Sequence, residues 1–392
     1  MNKGIIALLV AQFFSAFADN AILFTIIAMV LKTGATDGWY IPALQSAFLI
    51  AFVVLAPWVG PFADRRSKPQ VLIIGNILKA AGVGLILLSV EPILAYGIIG
   101  AGAAVYGPAK YGLLPEMVRH EQLVQANGWI EGSTILAIIL GTVVGARLAD
   151  WSVDGALIVI SIVYVCSIAV TFLMPNLPAR GVEEKPALPN FMHLMRGFFK
   201  TSRARFSMLG ASLFWGASAV LRVLLVAWAP LVLFTKNASD VAELTLFLAI
   251  GIITGAALVP KLIPIEYLRR ARLAAYMMGL FILVLSFIDS IWPARFVLFI
   301  IGIAGGLFVV PINAALQEIG HRSIGSGGAV AIQNFFENVA MLLTVGVYTV
   351  ATAQGAQPVI SIFVLAIVVL IATFIVSWHL PADPDNSDLN NS

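Results

Sequence analysis

The sequence predicts an all-α transmembrane protein of about twelve helices, arranged as two six-helix bundles with pseudo-two-fold symmetry. Hydrophobic residues make up 60% of the 392-residue chain and charged residues 11%, whereas soluble domains average about 25% charged residues. The mean hydropathy is +0.98. Apolar runs of ~20 residues, enough to cross a bilayer as a helix, recur along the chain and are separated by short turns.

The apolar runs give approximate bounds for each span. The predicted spans are residues 4–31, 40–62, 70–90, 93–115, 124–149, 155–175, 206–234, 241–263, 270–288, 294–317, 325–352 and 357–379. The first run is much longer than a signal-peptide core and no small-residue cleavage site follows it, so we predict a retained helix. The polar segment 176–205 is predicted to be a cytoplasmic loop between an N-terminal bundle (1–175) and a C-terminal bundle (206–380). The polar tail, 381–392, is expected to be disordered.

Lysine and arginine residues are distributed unevenly between the two sides of the predicted membrane domain. If the N-terminus is cytoplasmic, most of the 23 lysine and arginine residues fall in cytoplasmic segments. The opposite side then carries Lys32, Arg147, Lys236 and Arg295. Cytoplasmic loops carry the excess of basic residues in membrane proteins, so we expect both termini in the cytoplasm.

The two predicted bundles show a weak internal sequence repeat. A proline and two glutamates recur in similar positions, at Pro108, Glu116 and Glu131 and again at Pro311, Glu318 and Glu337. Parallel repeats of this kind occur in transporters, whose substrate site lies at the repeat interface near the bilayer midplane. The repeat therefore favours a transporter.

Charged residues inside the predicted spans are the main indication of function. A charge at membrane depth costs at least ~2.5–3.5 kcal/mol on insertion scales, and such residues usually face the protein interior and pair. The chain places charges of both signs there: Asp19, Lys79, Lys110, Glu131, Arg222 and Glu337. This balance suggests an internal polar path through an apolar protein.

Three of these charges are the strongest candidates for contact with a substrate. Gln12, Ser15 and Asp19 share one face of the first span, with Asn20 adjacent, and Asp19 lies about 22 Å along a helix that crosses ~30 Å of hydrocarbon. Arg222 has a similar depth in the seventh span, and Glu337 follows Gln333 by one turn in the eleventh. All three lie too deep to reach water easily.

The remaining charges also have simpler structural explanations. For Lys79 and Glu131, a structural salt bridge between helices explains the charge as well as a functional role does. Lys110 lies toward the cytoplasmic end of the fourth span, where a lysine can extend its ammonium to the interface. It is otherwise a candidate gate or second substrate contact.

The few polar side chains in the spans indicate the substrate class. A sugar transporter needs many hydrogen-bond partners, because buried polar groups must be satisfied. Here we expect a mostly apolar cavity with isolated charges, which suits an amphiphile with a charged or zwitterionic head. Arg222 could bind a phosphate bidentately, and Asp19 or Glu337 could accept an ammonium. A proton-coupled exporter of amphipathic drugs, with either carboxylate titrating, is the alternative.

The segment after the second span carries a recognisable motif. Its sequence is Gly60-Pro-Phe-Ala-Asp64-Arg65-Arg66-Ser67-Lys68-Pro69, which resembles the loop signature of the major facilitator superfamily. Gly60 is expected to allow close helix approach, and Asp64 to lie at a neighbouring helix N-terminus or to pair with a basic residue. The resemblance implies the twelve-helix major facilitator fold, with the first, seventh and eleventh spans lining the cavity.

Longer segments resemble one family in particular, the bacterial lysophospholipid transporters. They are Ala11-Gln-Phe-Phe-Ser-Ala-Phe-Ala-Asp19-Asn20-Ala, Gly102-Ala-Ala-Val-Tyr-Gly-Pro-Ala-Lys110-Tyr-Gly, Gly210-Ala-Ser-Leu-Phe-Trp215-Gly with Arg222 following, and Ala331-Ile-Gln-Asn-Phe-Phe-Glu337-Asn. Phe336 departs from the family pattern, where a smaller residue is expected.

The resemblance implies a monomeric flippase of the bacterial inner membrane. It would move lysophosphatidylethanolamine and lysophosphatidylglycerol from the outer to the inner leaflet without a proton gradient. A cytoplasmic acyltransferase with acyl-carrier-protein synthetase activity would then reacylate them. The implied substrate-binding residues are Asp19, Asn20, Lys110, Arg222 and Glu337. Gating or structural roles are expected for Asp64, Arg65, Lys79, Glu131 and Gln333.

The sequence does not support an enzyme, a metal site or a nucleic-acid-binding surface. None of the four histidines precedes an aspartate at the spacing of an acyltransferase, and no nucleophile elbow is present. The histidines lack metal-ligand spacing, and no basic stripe carries interleaved aromatic residues. Cys166, the only cysteine, cannot form an intrachain disulfide. We expect no catalytic residue, metal or cofactor.

Overall fold

The computed structural model describes residues 3–33, 38–117, 123–175, 187–199, 201–263, 265–323 and 326–378. Over these ranges the chain forms α helices and one 3₁₀ helix (Ile265–Arg270), with no strand. The α helices are α1 (Lys3–Thr33), α2 (Tyr40–Asp64), α3 (Lys68–Leu87), α4 (Pro92–Met117), α5 (Leu123–Trp151), α6 (Val153–Thr171), α7 (Ala187–Phe198), α8 (Ser202–Val232), α9 (Ala238–Leu262), α10 (Ala271–Leu285), α11 (Ile291–Ser323), α12 (Ser326–Ala353) and α13 (Pro358–Ser377).

Local sequence explains several helix starts. Ser152 precedes α6, and its hydroxyl accepts a hydrogen bond from the Gly155 amide at 3.1 Å. Thr201 does the same for α8, accepting from the Ala204 amide at 3.2 Å. Each cap satisfies a first-turn donor that has no partner within the helix. Pro358 begins α13, at a position where its missing amide hydrogen is no loss.

The membrane architecture predicted from hydropathy is confirmed. In the described ranges, 11 helices are long and apolar enough to cross a membrane. The predicted span 270–288 corresponds to α10, which has only 15 residues and is about 22 Å long, short of the ~30 Å hydrocarbon layer. The preceding 3₁₀ helix, Ile265–Arg270, extends this helical segment. The prediction of that ninth span was therefore too long for the α helix itself.

The segment predicted as a loop, 176–205, contains helix α7. Its apolar residues Leu188, Phe191, Met192 and Met195 recur every three or four positions and so share one face. Phe191 is buried, whereas Leu188 is 51% exposed. At 12 residues, α7 is too short to span a membrane. The part 176–186 and the predicted disordered tail, 381–392, lie outside the described residues.

The described chain divides into two compact units. The first comprises Met1–Phe191 and Lys236–Glu243, and the second comprises Met192–Thr235 and Leu244–Ser392. The first turn of α9 belongs to the first unit because Asp150, at the end of α5, binds it. The Asp150 carboxylate accepts hydrogen bonds from the amides of Ala238 at 3.2 Å and Ser239 at 3.0 Å, and from the Ser239 hydroxyl. The bundle bounds 1–175 and 206–380 stay a prediction.

Glycines bring α9 and α11 into backbone contact within the second unit. Gly251 and Gly255 face Gly302 and Gly306, and a Cβ added at any of them would strike a backbone atom of the opposite helix. Small residues four apart allow this approach in membrane helices. The close approach expected at Gly60 is wrong, because a Cβ there would meet nothing within 4 Å. Its helix α2 turns that residue toward open space.

Gly255→Ala should lower the thermal unfolding midpoint of the detergent-solubilised protein. The added methyl group would meet the backbone carbonyl of Ile303, and overpacking of this kind costs about 1–3 kcal/mol. Gly346→Ala is the matched control, because a Cβ there meets nothing within 4 Å and alanine is the better helix former. Equal heat stability of the two variants would contradict the close contact of α9 with α11.

Candidate functional site

Asp19 and Lys79 form an ion pair inside the first unit. Lys79 on α3 places its Nζ 2.8 Å from Oδ2 of Asp19 on α1. The other carboxylate oxygen, Oδ1, accepts a hydrogen bond from the Tyr164 hydroxyl of α6 at 2.7 Å. The lysine side chain is 1% exposed and the aspartate side chain 24%. Three helices therefore meet at a carboxylate that keeps one accessible edge.

A chain of hydrogen bonds extends from this pair across the helices. Lys79 Nζ also donates to Ser15 Oγ at 2.9 Å, and Ser15 donates to Asn76 Oδ1 at 2.8 Å. The Asn76 amide donates to Ser167 Oγ at 2.8 Å, and Ser167 donates to the Ala11 carbonyl at 2.7 Å. Each link is satisfied by the next, which fixes the side chains in one arrangement.

Aromatic rings and a glycine complete the surroundings of Lys79. Its Nζ lies 4.6 Å from the ring centroid of Tyr106 on α4 and 5.8 Å from that of Tyr164. Ring faces stabilise a desolvated ammonium electrostatically. The methylene stem packs against Gly102, where a Cβ would lie 2.8 Å from Lys79 Cγ. Helix α4 can therefore reach the lysine only because residue 102 has no side chain.

The other polar residues on this face of α1 bind within the protein. The Gln12 amide donates to Thr134 Oγ1 of α5 at 3.0 Å. Asn20, predicted to contact substrate, donates its amide to the Ala16 carbonyl of its own helix at 2.8 Å. One of its two amide hydrogens is thus used locally, which leaves the second hydrogen and the carbonyl oxygen for any substrate contact. That role stays a prediction.

In the second unit, Glu337 is held by amide side chains. The Gln333 amide donates to Glu337 Oε1 at 2.7 Å, within α12. The same amide donates to Asn313 Oδ1 of α11 at 3.0 Å. Glu337 is buried, and Trp215 of α8 lies close to its carboxyl group. Gln333 therefore links the carboxylate to a neighbouring helix.

Arg222 lies on α8 in the same unit as Glu337. It is half-buried and shares one face of the helix with Trp215 and Ser218, at spacings of seven and four residues. Two helical turns, about 10.5 Å, separate Arg222 from Trp215 along the axis. Below Ser218 is a small cavity whose remaining lining is apolar: Phe214, Ala217, Leu221, Leu248, Ile252, Met278, Ile282 and Ile301.

Phe336, the departure from the family pattern, has a clear packing role. Its ring lies edge-on to that of Phe199, which follows α7, with the centroids 4.9 Å apart. It also contacts Phe335 in a similar geometry, at 5.5 Å. The larger residue before Glu337 therefore attaches α12 to the segment between α7 and α8.

The lysine at the start of α3 and a lysine in α4 are buried. Lys110 is 8% exposed and Lys68 is 4% exposed. Lys68, which the sequence placed in a polar loop, donates its ammonium to the Ala63 carbonyl at the end of α2, at 2.9 Å. A cation is favoured there by the helix dipole. Its stem passes Gly112 of α4, where a Cβ would lie 3.2 Å from Lys68 Cε.

The loop motif is described only in part. Arg65 is exposed, and the Arg66 guanidinium lies 3.9 Å above the Phe62 ring. The side chains of Asp64 and Glu131 lie outside the part of the chain that the structure describes, so their predicted pairings stay predictions.

The structure joins some predicted residues and separates others. Asp19 belongs to the first unit, whereas Arg222 and Glu337 belong to the second. Asp19 pairs with Lys79, for which no particular partner was predictable from the sequence. Polar residues that support the charges were not predicted from the sequence: Asn76, Tyr164, Ser167, Trp215 and Asn313. The available signal was spacing, since Asn76 precedes Lys79 by three residues and Tyr164 precedes Ser167 by three. Among the described residues, no three His, Cys, Asp or Glu side chains could hold a metal ion.

Curated relatives match nearly the whole chain. The lysophospholipid transporter LplT of Klebsiella pneumoniae subsp. pneumoniae is 42% identical over 363 residues, covering 91% of this chain and 91% of that protein. LplT of Photorhabdus laumondii is 42% identical over 363 residues, covering 92% and 91%. LplT of Yersinia pestis is 42% identical over 366 residues, covering 92% and 90%.

Solved structures and a family model agree on the fold. The POT family transporter PepTSo superposes with a TM-score of 0.74 at 10% identity, covering 97% of this chain and 98% of that one. The nucleoside transporter NupG superposes with a TM-score of 0.71 at 14% identity, covering 97% and 99%. At these identities the likeness shows the fold alone. The model of the Major Facilitator Superfamily matches residues 8–345. The chain therefore belongs to the Major Facilitator Superfamily and, within it, to the family of the LplT proteins.

Proposed function

We propose that this protein is a lysophospholipid transporter that moves lysophosphatidylethanolamine and lysophosphatidylglycerol from the outer to the inner leaflet of the bacterial inner membrane. The observation that carries the proposal is 42% identity to LplT proteins over nine tenths of the chain. The isolated charges in apolar helices support it, because a lysophospholipid combines a charged head with an apolar tail. Alternating access of the two bundles is the proposed mode of transport.

The charged residues suit the two ends of a zwitterionic head group. Arg222 has a guanidinium that can donate two parallel hydrogen bonds to a phosphate. Asp19 has a carboxylate with an accessible edge that can accept an ammonium, and the buried Glu337 offers a second carboxylate. Lys110 is proposed as a gate or further phosphate contact nearer the cytoplasm. A small apolar cavity beside Ser218, one helical turn before Arg222 on α8, is consistent with an apolar part of the substrate lying near this helix.

The proposed cellular setting rests on the similarity to LplT proteins and on the distribution of basic residues. We infer an inner-membrane location with both termini cytoplasmic, because the basic residues concentrate on one predicted side. Lysophospholipid delivered to the inner leaflet would then be reacylated by a cytoplasmic acyltransferase with acyl-carrier-protein synthetase activity. We also propose that the protein acts as a monomer, because one chain contains both units.

Purified protein in liposomes should transfer labelled lysophosphatidylethanolamine between leaflets whether or not a proton gradient is imposed. Label that remains after albumin extraction of the outer leaflet measures the transfer, and protein-free liposomes give the background. Transfer at background level would refute the proposal. Transfer that requires the gradient would instead favour a proton-coupled exporter of amphipathic molecules.

Arg222→Ala should lower the transfer rate at limiting substrate by about ten- to hundredfold, because hydrogen bonds to charged groups contribute ~1.5–3 kcal/mol each. Arg205→Ala is the matched control, since Arg205 lies on the same helix, is exposed and donates to Ser202 Oγ at 3.1 Å. Rates are compared in the albumin-extraction assay at equal amounts of folded protein. Equal rates for the two variants would remove Arg222 from the head-group site.

A further inference from the structure

The Asp19–Lys79 pair presents its two charges unequally. The aspartate side chain is 24% exposed, whereas the lysine side chain is 1% exposed. A ligand that reaches the pair therefore meets the carboxylate and not the ammonium. The Tyr164 hydroxyl binds Oδ1 at 2.7 Å and so fixes the direction in which the carboxylate faces.

The side chain of Lys79 is held in place by its contacts. Its ammonium donates to Ser15 Oγ and lies over the Tyr106 ring, and its stem passes Gly102 at close packing distance. An ammonium buried this deeply would be left uncompensated if Asp19 moved away, which is strongly unfavourable. The pair therefore stays together when a head group contacts the exposed edge of Asp19.

A carboxylate with a permanent cation beside it differs electrostatically from a carboxylate alone. A lone carboxylate would attract the ammonium of an ethanolamine head and repel the phosphate of a head that carries no cation. With the Lys79 ammonium at 2.8 Å, the pair has no net charge. Its exposed oxygen can still accept a hydrogen bond from an ammonium or from a glycerol hydroxyl.

We propose that Lys79 is a specificity-determining residue, which allows the Asp19 end of the site to accept anionic lysophospholipids as well as zwitterionic ones. The inference rests on the proposed transport of lysophospholipids. Lys79 itself need not touch the substrate, because it acts by cancelling the charge of Asp19. Lys79 thereby removes the electrostatic repulsion between Asp19 and the phosphate of an anionic head group. The Asp19 carboxylate remains available as a hydrogen-bond acceptor.

The test is the ratio of two substrates taken up together. Proteoliposomes receive equimolar lysophosphatidylethanolamine and lysophosphatidylglycerol with different labels, so the ratio does not depend on the fraction of active protein. Lys79→Met should shift the ratio toward lysophosphatidylethanolamine by about tenfold, the effect of one uncompensated charge at close range. Asp19→Asn should shift it toward lysophosphatidylglycerol. The double variant should return close to the wild-type ratio, because the net charge is again zero.

Two further comparisons keep the test decisive. Lys68→Met removes another buried lysine of the same unit, one that binds a backbone carbonyl, and should leave the ratio at the wild-type value. If Lys79→Met does not fold, the double variant can be compared with Asp19→Asn, because these two proteins differ only at Lys79. The preference of Asp19→Asn for lysophosphatidylglycerol should then be absent from the double variant. If the wild type transports both lipids and the Lys79 variants keep the wild-type ratio, the proposed role of Lys79 is overturned while the proposed function stands. Transport of neither lipid by the wild type would overturn the proposed function and the role of Lys79 with it.

Discussion

The ion pair between Asp19 and Lys79 is the constraint around which the first unit is arranged. Removing two charges from water costs several kcal/mol per ion, and their attraction compensates only if the geometry is good and further hydrogen bonds are made. Helices α1, α3, α4 and α6 each supply a part of that compensation: the carboxylate, the lysine with Asn76, the Tyr106 ring, and Tyr164 with Ser167. The packing of four helices therefore depends on one lysine. Gly102 lets α4 approach this region of α3, since a Cβ there would lie 2.5 Å from the Gly75 carbonyl and 2.8 Å from Lys79 Cγ.

The two units support their carboxylates by different means. Asp19 is neutralised by a buried cation, whereas Glu337 accepts its described hydrogen bond from the neutral amide of Gln333, which Asn313 orients in turn. A neutral amide stabilises a charge without cancelling it. The carboxyl group of Asp19 is thus compensated by a cation, whereas that of Glu337 has a neutral amide as its described partner.

Hydropathy predicted the helices and the charged positions because both are local properties of the sequence. The pairing of Asp19 with Lys79 was not local. Asp19 lies about 24 Å from the start of α1 and Lys79 about 17 Å from the start of α3, so their depths do not match until the length of the lysine side chain is considered.

Helix α7 was missed because 12 residues with one apolar face do not form an apolar run. Gly60 was assigned a close contact from its motif, but only the neighbouring helices decide where backbones approach. The spacing of Gly251, Gly255, Gly302 and Gly306 was a better signal, since four-residue repeats of glycine place small residues on one helix face.

Helix α9 contributes its first turn to the first unit and its remainder to the second. Its first turn is bound by Asp150 of the first unit, and its remainder packs through Gly251 and Gly255 on α11 of the second. A continuous helix resists bending, because each turn is held by backbone hydrogen bonds. Any motion of the first turn of α9 away from α5 must therefore release the Asp150 carboxylate, and any motion of this turn away from the rest of the helix must distort α9. The release exposes only two amides and a hydroxyl, groups that water can satisfy, whereas distortion breaks the ladder inside a membrane helix. Detachment at Asp150 is consequently the lower-energy route for any motion of α9 away from α5.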